Sequence, residues 1–251
     1  MQISVTIITY NEAANIGRCI GSVKAIADEI IVLDSFSTDE TANIASSLGA
    51  KVFQQPFLGH IEQKNLAISK ANFAYILSLD ADEALDENLL KEIIAIKSLS
   101  NPAKAYATNR YNNYCGKWIN YGAWSSDVKI RFFNKDFGTW GGLNPHDKIV
   151  LKEGINPEKL KGKILHWSYT SMAEHQGKIE RYAEIAAKAY QQKGKSSSTF
   201  KIIFSPIFRF IRDYFFKLGF LDGKYGFIIA RLTAKEVYLK YLLLKKLIAN
   251  G

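Results

Sequence analysis

The sequence predicts an α/β protein with a mostly parallel sheet that is flanked by helices. Through the first hundred residues, short apolar runs rich in β-branched residues alternate with stretches of helical spacing. Strand–helix alternation of this kind is typical of parallel sheets with right-handed crossovers. The apolar runs are nearly continuous, as strands are when helices cover both faces of a sheet.

Strands and helices are predicted in alternation in this first part of the chain. The predicted strands are the apolar runs at residues 3–9, 29–33, 51–53 and 75–79. The predicted helices lie near residues 16–26, 42–48, 61–71 and 85–97. Ser37 and Glu40 have the spacing of a capping box, so we expect Ser37 to cap the second helix and Gly49 to end it.

The pattern changes after residue 100. Residues 105–150 are rich in aromatic residues and glycines. A strand is predicted at residues 128–133, and the turn formers of residues 140–147 predict a loop. A helical stretch follows residues 165–169.

The last part of the chain reads as helices. Residues 194–198 are the best candidate for a linker. Ser205-Pro206 predicts the start of a helix, and Gly219 predicts its end. Residues 226–249 predict the last helix, so the fold class includes a helical and basic C-terminal extension.

The composition is that of a globular chain with a sizeable core. The 251 residues are 47% hydrophobic and carry a formal net charge of +9. These values exclude disordered, collagen-like and disulfide-scaffold proteins. Two cysteines, Cys19 and Cys115, are too few for a disulfide framework and indicate a reducing compartment.

The positive charge is concentrated near the C-terminus. Residues 199–251 hold 10 Lys and Arg against 3 Asp and Glu, a net charge of +7, which leaves +2 for residues 1–198. A basic, aromatic segment of this kind is typical of a surface for anionic membrane or nucleic acid. No zinc-finger, helix-turn-helix or RNP motif accompanies it, so nucleic acid is not the expected partner.

The sequence contains no evident export or membrane-spanning segment. The first residues lack the basic start and apolar stretch of a signal peptide. In the C-terminal segment, basic residues interrupt each apolar run before the roughly 20 residues that a bilayer requires. We therefore expect a cytoplasmic protein with possible peripheral contact at the inner face of the cytoplasmic membrane. The alternative is that residues 199–251 are ordinary helices with basic outer faces.

Polar residues end three of the predicted strands, at residues 9–12, at 34–35 and at 80–83. Because ligands of open α/β sheets bind beyond the carboxyl ends of the strands, these residues are expected to line one crevice. No dinucleotide-binding glycine motif follows the first strand, and no Walker-type loop is present.

Asp80 and Asp82 bring two like charges together at the end of a buried strand. Such a pair is costly unless a cation is present. A divalent ion held by carboxylates and substrate phosphates relieves that cost, which favours Mg²⁺ or Mn²⁺ on a diphosphate. The alternative is a solvated acidic turn that opens the next helix.

Three sequence blocks resemble the nucleotide-binding half of a family 2 glycosyltransferase, a family with the GT-A fold. These blocks are residues 5–12, 31–41 and 79–83. Residues 140–147, 166–169 and 219–223 are similar to one branch of that family, the lipopolysaccharide core glycosyltransferases directed to heptose. The resemblance spans nearly the whole chain.

The resemblance implies donor-binding roles for individual residues. Tyr10 would stack on the uracil ring, and Asp34 would accept the uracil N3–H. Lys64 and Asn65 would approach the nucleotide. The other implied positions for the uracil and ribose are Thr9, Asn11 and Glu12.

The resemblance also implies a metal shell of Mn²⁺ or Mg²⁺ on the donor diphosphate. Asp82 would be the chief metal ligand, with Asp80 nearer the ribose and the metal shell and Ala81 between them in the nucleotide-binding motif. His166 would lie near the diphosphate and complete the shell. The alternative for His166 is a hydrogen-bonded histidine beside Trp167.

Asp147 matches the acidic residue that the resemblance implies as catalytic base, although the branch more often has Glu after His at this place. The shorter side chain puts its reach in question. A base must lie within hydrogen-bond range of the acceptor hydroxyl. The alternative is that Asp147 neutralises Lys148 on a surface turn.

The function implied is an inverting, metal-dependent transfer of a hexose from a UDP-sugar to a saccharide acceptor of the lipopolysaccharide inner core. Residues 1–194 would form the catalytic domain, with a nucleotide-sugar half at 1–100 and an acceptor half at 101–194, and residues 195–251 the helical extension. Another transferase of cell-surface glycans, a nucleotidyltransferase and a nucleic-acid-binding protein remain as alternatives.

Overall fold

The computed structural model describes residues 1–125, 127–143 and 146–249. The strands are β1 Ile3–Thr9, β2 Glu29–Asp34, β3 Lys51–Gln54, β4 Tyr75–Asp80, β5 Glu83–Leu85, β6 Ala105–Tyr114, β7 Lys117–Trp118, β8 Val128–Asn134, β9 Gly138–Leu143, β10 His146–Leu151 and β11 Glu158–Tyr169. The helices are α1 Ile16–Val23, α2 Thr41–Ser47, α3 His60–Ser69, α4 Glu87–Lys97, α5 Met172–Gln192, α6 Thr199–Ile211 and α7 Lys224–Ala249. Short 3-10 turns lie at Gly122–Trp124 and Gly219–Asp222, and a π turn lies at Arg212–Phe216.

The chain forms two compact units. The first comprises Met1–Arg110 and Asp127–His166, and the second comprises Tyr111–Ser126 and Trp167–Gly251. The boundary at residue 194, between the predicted catalytic domain and the predicted C-terminal extension, stays a prediction.

The first unit is built on a mixed sheet. Strands β3, β2, β1 and β4 run parallel in that order, and β8 continues the sheet antiparallel to β4. Strand β6 pairs with β8, and β5 pairs antiparallel with β11. The predicted α/β fold is confirmed, and its parallel part consists of β3, β2, β1 and β4, which antiparallel strands extend into a mixed sheet.

The core of this unit forms where helices cover the parallel strands. Ile3, Val5 and Ile7 of β1 are completely buried. Burial of each such side chain contributes about 1.5–3 kcal/mol relative to exposure. Helix α1 packs on the sheet because its apolar residues recur at helical spacing, with Ile16 and Ile20 fully buried. This packing holds the carboxyl ends of the strands in fixed positions.

The predicted capping box at Ser37 is wrong. Helix α2 begins at Thr41, and Glu40 occupies its N-cap position without a side-chain cap bond. The Ser37 hydroxyl instead donates to the Asp34 carboxylate at the end of β2. A carboxylate accepts a stronger hydrogen bond than a neutral group, which accounts for the choice. The predicted stop near Gly49 is confirmed, since α2 ends at Ser47.

The predicted loop at residues 140–147 is also wrong over the part that the structure describes. Strands β9 and β10 pair antiparallel there, with Trp140 opposite Ile149. Both side chains are buried, so the alternation of a strand overrides the turn-forming composition. Asn144 and Pro145 of this block lie outside the described residues.

The second unit is mainly helical, as the C-terminal pattern predicts. The predicted helix start at Ser205-Pro206 is wrong, because α6 begins at Thr199 and Pro206 lies inside it. Ser198 caps α6, and its hydroxyl accepts a hydrogen bond from the Lys201 N–H at 3.2 Å. A capped first turn placed about two turns earlier thus outweighs the preference of proline for the first helical position.

Two buried carboxylates of the second unit have partners close by. The Asp222 carboxylate is buried and accepts the backbone N–H of Tyr121 at 2.8 Å. Asp213 is buried and pairs with Arg209 and Arg212. Among the helices that the structure describes, none combines the length and the apolar character needed to cross a bilayer.

Candidate active site

The polar ends of three parallel strands meet at one edge of the sheet in the first unit. In the register, Thr9 of β1 lies beside Asp34 of β2, and Ile8 lies beside Asp80 of β4. The Ser35 N–H donates to the Thr9 carbonyl at 2.9 Å. The predicted convergence of these strand ends is therefore confirmed.

The segment after β1 is tied to the segment after β2 by hydrogen bonds. Asn11 adopts a left-handed backbone conformation (φ 53°). Its side-chain oxygen accepts the Thr38 N–H at 2.8 Å, and its own N–H donates to the Ser37 hydroxyl at 2.8 Å. The Glu12 N–H donates to the Thr41 hydroxyl at 2.8 Å. These bonds join residues 9–12 to residues 34–41, and we call these two joined segments the strand-end floor.

Two residues of this floor differ in their availability to a nucleotide. The ring of Tyr10 is 57% exposed and so has a free face for stacking. Asp34 is completely buried, and both of its oxygens accept hydrogen bonds from Ser37. Thr9 and Ala81 are also buried, and the Ala81 N–H donates to the Ile8 carbonyl at 3.2 Å. Asp34 Oδ2 also accepts from the Gln54 side-chain amide at 3.4 Å, so Oδ1 is the oxygen that keeps a lone pair for a further donor.

Lys64 of α3 is a buried ammonium between two carboxylates. Its Nζ lies 2.9 Å from Asp80 Oδ1 and 2.7 Å from Asp147 Oδ2. The same Nζ lies 4.3 Å from the centroid of the Trp140 ring, within the range of a cation–π contact. The helix thus joins the end of β4 to the β9–β10 hairpin through one positive charge.

Arg131 of β8 is a second buried cation, and sequence reasoning missed it. Its Nη2 lies 3.0 Å from Asp80 Oδ2 and 2.8 Å from Glu83 Oε1. Glu83 also pairs with Arg110 at 3.3 Å. The signal in the sequence was a charged residue inside the apolar strand 128–133, because a buried arginine requires a paired acid.

The cations determine the ionisation of Asp80. Burial opposes the charge of this carboxyl, but Lys64 and Arg131 outweigh burial and hold its pKa well below the ordinary value. Burial likewise opposes the charge of Arg131, but Glu83 and Asp80 raise the pKa of the guanidinium above its ordinary value. Asp80 is therefore a carboxylate at neutral pH and already has two counter-ions.

Asn65 anchors the hairpin that carries Asp147. Its side-chain N–H donates to the Trp140 carbonyl at 3.0 Å, and its side-chain oxygen accepts the Trp140 N–H at 3.1 Å. The Trp140 ring N–H donates to the Ser78 hydroxyl at 3.3 Å. The amide that the sequence assigns to the nucleotide thus has a structural task in holding β9 on α3.

Asp147 lies on β10 opposite Gly142, whose backbone is in the left-handed region (φ 102°). Its carboxylate faces a cavity of ≈ 500 Å³ that Asp80 and Lys64 also line. The remaining cavity wall comes from Arg110, Lys129 and Lys148 among other residues of the first unit. A carboxylate at the wall of such a cavity can meet a bound hydroxyl.

His166 lies beside Asp82 because β5 pairs with β11. In that pairing His166 is opposite Glu83, the residue next to Asp82. His166 Nε2 lies 3.2 Å from Asp82 Oδ2. The two side chains come together from distant parts of the sequence, and the role of His166 as a metal ligand stays a prediction.

The donor set of Asp82 and His166 fits a divalent ion that substrate phosphates help to hold. Within the described residues no group of three His, Cys, Asp or Glu side chains could enclose a metal by itself. Mg²⁺ sites of phosphate-transfer enzymes commonly use one or two carboxylates and complete the shell with phosphate and water. Mn²⁺ accepts the same oxygen and imidazole ligands.

Sequence comparison identifies the family of the chain. A family model described as "Glycosyl transferase family 2" matches residues 4–154, which is more than half of the chain. The chain therefore belongs to glycosyl transferase family 2. This agrees with the family that the three sequence blocks resemble.

Relatives extend the similarity over nearly the whole chain. An uncharacterized glycosyltransferase of Rickettsia typhi is 34% identical over 98% of this chain and 87% of its own length. The lipopolysaccharide core biosynthesis glycosyltransferase LpsC of Rhizobium meliloti is 27% identical over 97% of this chain and 94% of its own length. Glucosyl-3-phosphoglycerate synthase from Mycobacterium tuberculosis, solved with Mn²⁺ and uridine-diphosphate, covers 45% of this chain and 44% of its own at a TM-score of 0.36 and 25% identity. The family assignment rests on the sequence relatives.

Proposed function

We propose that this glycosyltransferase moves a hexose from a UDP-sugar to a saccharide acceptor of the lipopolysaccharide inner core, with inversion at the anomeric carbon. The observation that carries the proposal is the position of Lys64 between Asp80 and Asp147. It links a carboxylate at the donor-side strand ends to a carboxylate at the wall of a cavity large enough for a sugar. The similarity to LpsC supports the acceptor class.

In the proposed reaction, Asp147 is the base. The acceptor oxygen attacks the anomeric carbon while the bond from that carbon to the UDP oxygen breaks. The hydroxyl proton passes to the Asp147 carboxylate. The hairpin brings Asp147 to the cavity wall. Because attack comes from the side opposite the leaving group, the anomeric configuration inverts.

Asp82 and His166 are the proposed holders of the divalent ion, with Asp80 near the ribose. A bound Mn²⁺ or Mg²⁺ would offset the negative charge that develops on the leaving UDP. The Lys64 and Arg131 contacts of Asp80 leave Asp82 as the carboxylate of the pair without these two counter-ions. This division supports the role of Asp82 as the chief metal ligand, which the family resemblance implies.

Donor binding is assigned to the strand-end floor. Tyr10 would stack on the uracil through its exposed ring, and Asp34 would accept the uracil N3–H through a remaining lone pair. Thr9, Asn11, Glu12 and Ala81 would shape the ribose and uracil site. Lys64 and Asn65 would act indirectly. Lys64 would position the carboxylates of Asp80 and Asp147, and Asn65 would hold the β9–β10 hairpin.

We further propose that the acceptor is linked to lipid and that the enzyme meets it at the inner face of the cytoplasmic membrane. The +7 charge of residues 199–251 supports contact with anionic lipid. A cytoplasmic place suits the nucleotide sugar.

The test is UDP release with a panel of UDP-sugars in Mn²⁺ or Mg²⁺, comparing wild type with Asp147→Asn. We expect the variant to lose transfer by about 100-fold or more, as loss of a general base does. Its UDP affinity by calorimetry should change much less than its turnover, because Asp80 keeps Arg131 as a counter-ion. Asp136→Asn, an exposed carboxylate in the turn between β8 and β9, is the matched control. Near-full turnover of Asp147→Asn would refute the assignment of the base.

A further inference from the structure

The outward face of α6 carries large apolar side chains in contact with solvent. Six residues at spacings of three and four form this face and are between 38% and 67% exposed: Phe200, Ile203, Phe204, Ile207, Phe208 and Ile211. The opposite side of the helix packs inward, with Ile202 buried. A surface helix of a globular protein normally presents polar residues to water. We call these six residues the apolar face of α6.

The apolar character continues beyond the end of α6. Phe216 in the π turn is 77% exposed, and Phe215 beside it is also exposed. Lys217 and Lys224, both exposed, follow at either end of the next short turn. Contiguous exposed apolar surface of this extent marks an interaction site in a soluble chain.

The carboxylates of this segment are withdrawn from the surface. Of the three acidic residues after residue 198, Asp213 and Asp222 are 1% and 2% exposed and Glu236 is half-buried. Burial raises the pKa of the Glu236 carboxyl. Exposed basic residues of the same segment include Lys235, Lys245 and Lys246. The segment therefore combines exposed apolar side chains with positive charge, and its described residues include no fully exposed carboxylate.

A groove between α6 and α7 is also both apolar and positively charged. Its volume is ≈ 610 Å³, and Phe204, Phe208 and Val237 are among the residues that line it. Arg209, Arg212 and Lys240 lie along it as well. An apolar lining bordered by cations suits an acyl chain with an anionic headgroup.

We propose that the apolar face of α6 inserts into the interfacial layer of an anionic bilayer, with its rings among the acyl chains and the neighbouring lysines at the phosphates. Amphipathic interfacial helices bind through buried apolar area together with attraction to anionic lipid. Each basic residue near such a surface contributes about 1 kcal/mol. The inference deepens the proposed function and rests on it in one respect, that a lipid-linked acceptor is what the contact serves.

Charge selects the bilayer over a second copy of the chain as the occupant. Two copies joined through this face would bring two positively charged surfaces together, which is unfavourable. An anionic bilayer complements the same charges. The bilayer also satisfies rings and lysines at once, because its apolar layer lies directly beneath its phosphates.

The test is sedimentation of the full chain with vesicles of phosphatidylcholine alone and of phosphatidylcholine mixed with phosphatidylglycerol, at low and high salt. We expect the wild type to bind the anionic vesicles and to keep part of that binding at high salt. The double variant Phe204→Ser/Phe208→Ser should bind roughly 10- to 100-fold more weakly, since two exposed rings no longer enter the apolar layer. The matched control, Leu58→Ser/Leu99→Ser, removes side chains that are 66% and 52% exposed elsewhere and should bind as the wild type does.

Several outcomes would overturn the inference. Equal binding by the wild type and the Phe double variant would show adsorption by charge alone. Light scattering could instead show a dimer for the wild type and a monomer for the double variant, with equal vesicle binding by both. That result would mean that the apolar face of α6 binds a second copy of the chain. UDP release without vesicles separates the two proposals, because vesicle binding by a chain that turns over no UDP-sugar would support the face and contradict the function.

Discussion

A buried arginine on β8 depends on the carboxylates around it. Arg131 reaches both Asp80 and Glu83, and Glu83 is completely buried. Removing the charge of one partner leaves the other charges buried without compensation. Such a loss typically costs about 3–5 kcal/mol, far more than the loss of an exposed pair.

We therefore expect Arg131→Met to lower the free energy of unfolding by about 3–5 kcal/mol. Urea denaturation followed by circular dichroism measures it. Lys129→Met is the control, since Lys129 lies two residues earlier on the same strand and pairs with the partly exposed Asp127 at 2.9 Å. That change should cost about 1 kcal/mol or less. Equal losses in the two variants would mean that the Arg131 pairs do not stabilise the fold.

The individual site residues were predictable from sequence only where they follow a strand. Asp34, Asp80 and Asp82 stand directly after apolar runs, so the rule for parallel sheets places them together. Arg131 and Lys64 were harder to place as counter-ions, because their contact with Asp80 depends on register between segments distant in sequence. That register follows from packing of the whole sheet.

At the scale of elements, the β9–β10 hairpin shows why composition misled. A glycine-rich segment normally predicts a turn, yet Gly141 and Gly142 lie in strand β9. At Gly141 a Cβ atom would lie 3.0 Å from the Val150 side chain on the partner strand, so a larger residue would require that side chain to shift. A glycine required by close approach cannot be distinguished in one sequence from a glycine required by a turn.

Helix α5 is attached to its unit through a buried histidine. His175 Nδ1 lies 3.1 Å from the Tyr114 hydroxyl, and its ring stacks on Tyr169 with centroids 4.3 Å apart. Burial lowers the pKa of His175 to about 4, an effect that Glu174 opposes and Lys178 reinforces. The folded protein thus holds this histidine neutral.

The lowered pKa of His175 predicts a loss of stability in mild acid. The unfolded chain binds this proton at about pH 6.5, and the folded chain binds it only near pH 4. Stability is therefore fully present above about pH 6.5 and falls by about 3 kcal/mol as the pH drops toward 4. Urea midpoints across this range measure it.

His175→Gln is the matched variant, because its amide can still bond to the Tyr114 hydroxyl but does not titrate. We expect its stability to vary less with pH than that of the wild type between about pH 6.5 and 4. Lower stability at neutral pH in the variant is compatible with this expectation. The same pH dependence in both proteins would contradict it.

On the scale of the whole molecule, binding at the proposed metal site should change the melting temperature of the protein. A ligand that binds only the folded state stabilises it, by about 2.7 kcal/mol at 100 times its dissociation constant. We expect UDP with Mn²⁺ to raise the melting temperature and UDP with a chelator to raise it less. Without UDP, the chelator should have a smaller effect, because the proposed metal shell takes part of its ligands from the diphosphate.

Asp82→Ala should remove the part of the increase in melting temperature that depends on the metal. Asp136→Ala, which removes an exposed carboxylate of the same unit, should keep it. An unchanged metal-dependent increase in Asp82→Ala would exclude Asp82 as the chief ligand.

The overall architecture was predictable to the extent that local signals determine it. In the parallel part, each strand is a continuous apolar run and each helix has its own periodicity, so element order implies topology. In α6, the apolar residues point in both directions, and a sequence cannot say which of them water reaches. The exposed set emerges only after the helices have packed.

The place of Lys64 between Asp80 and Asp147 also has a consequence for redesign. One ammonium serves two carboxylates, so a neutral residue at any of the three positions unbalances the other two. A single substitution in this trio is expected to lower stability and activity by more than the role of that one residue explains. Two substitutions that keep the charges balanced are expected to lower them by less. Under the proposed function, acceptor choice is best altered at cavity residues outside the trio, such as Lys148, while positions 64, 80 and 147 are best varied together.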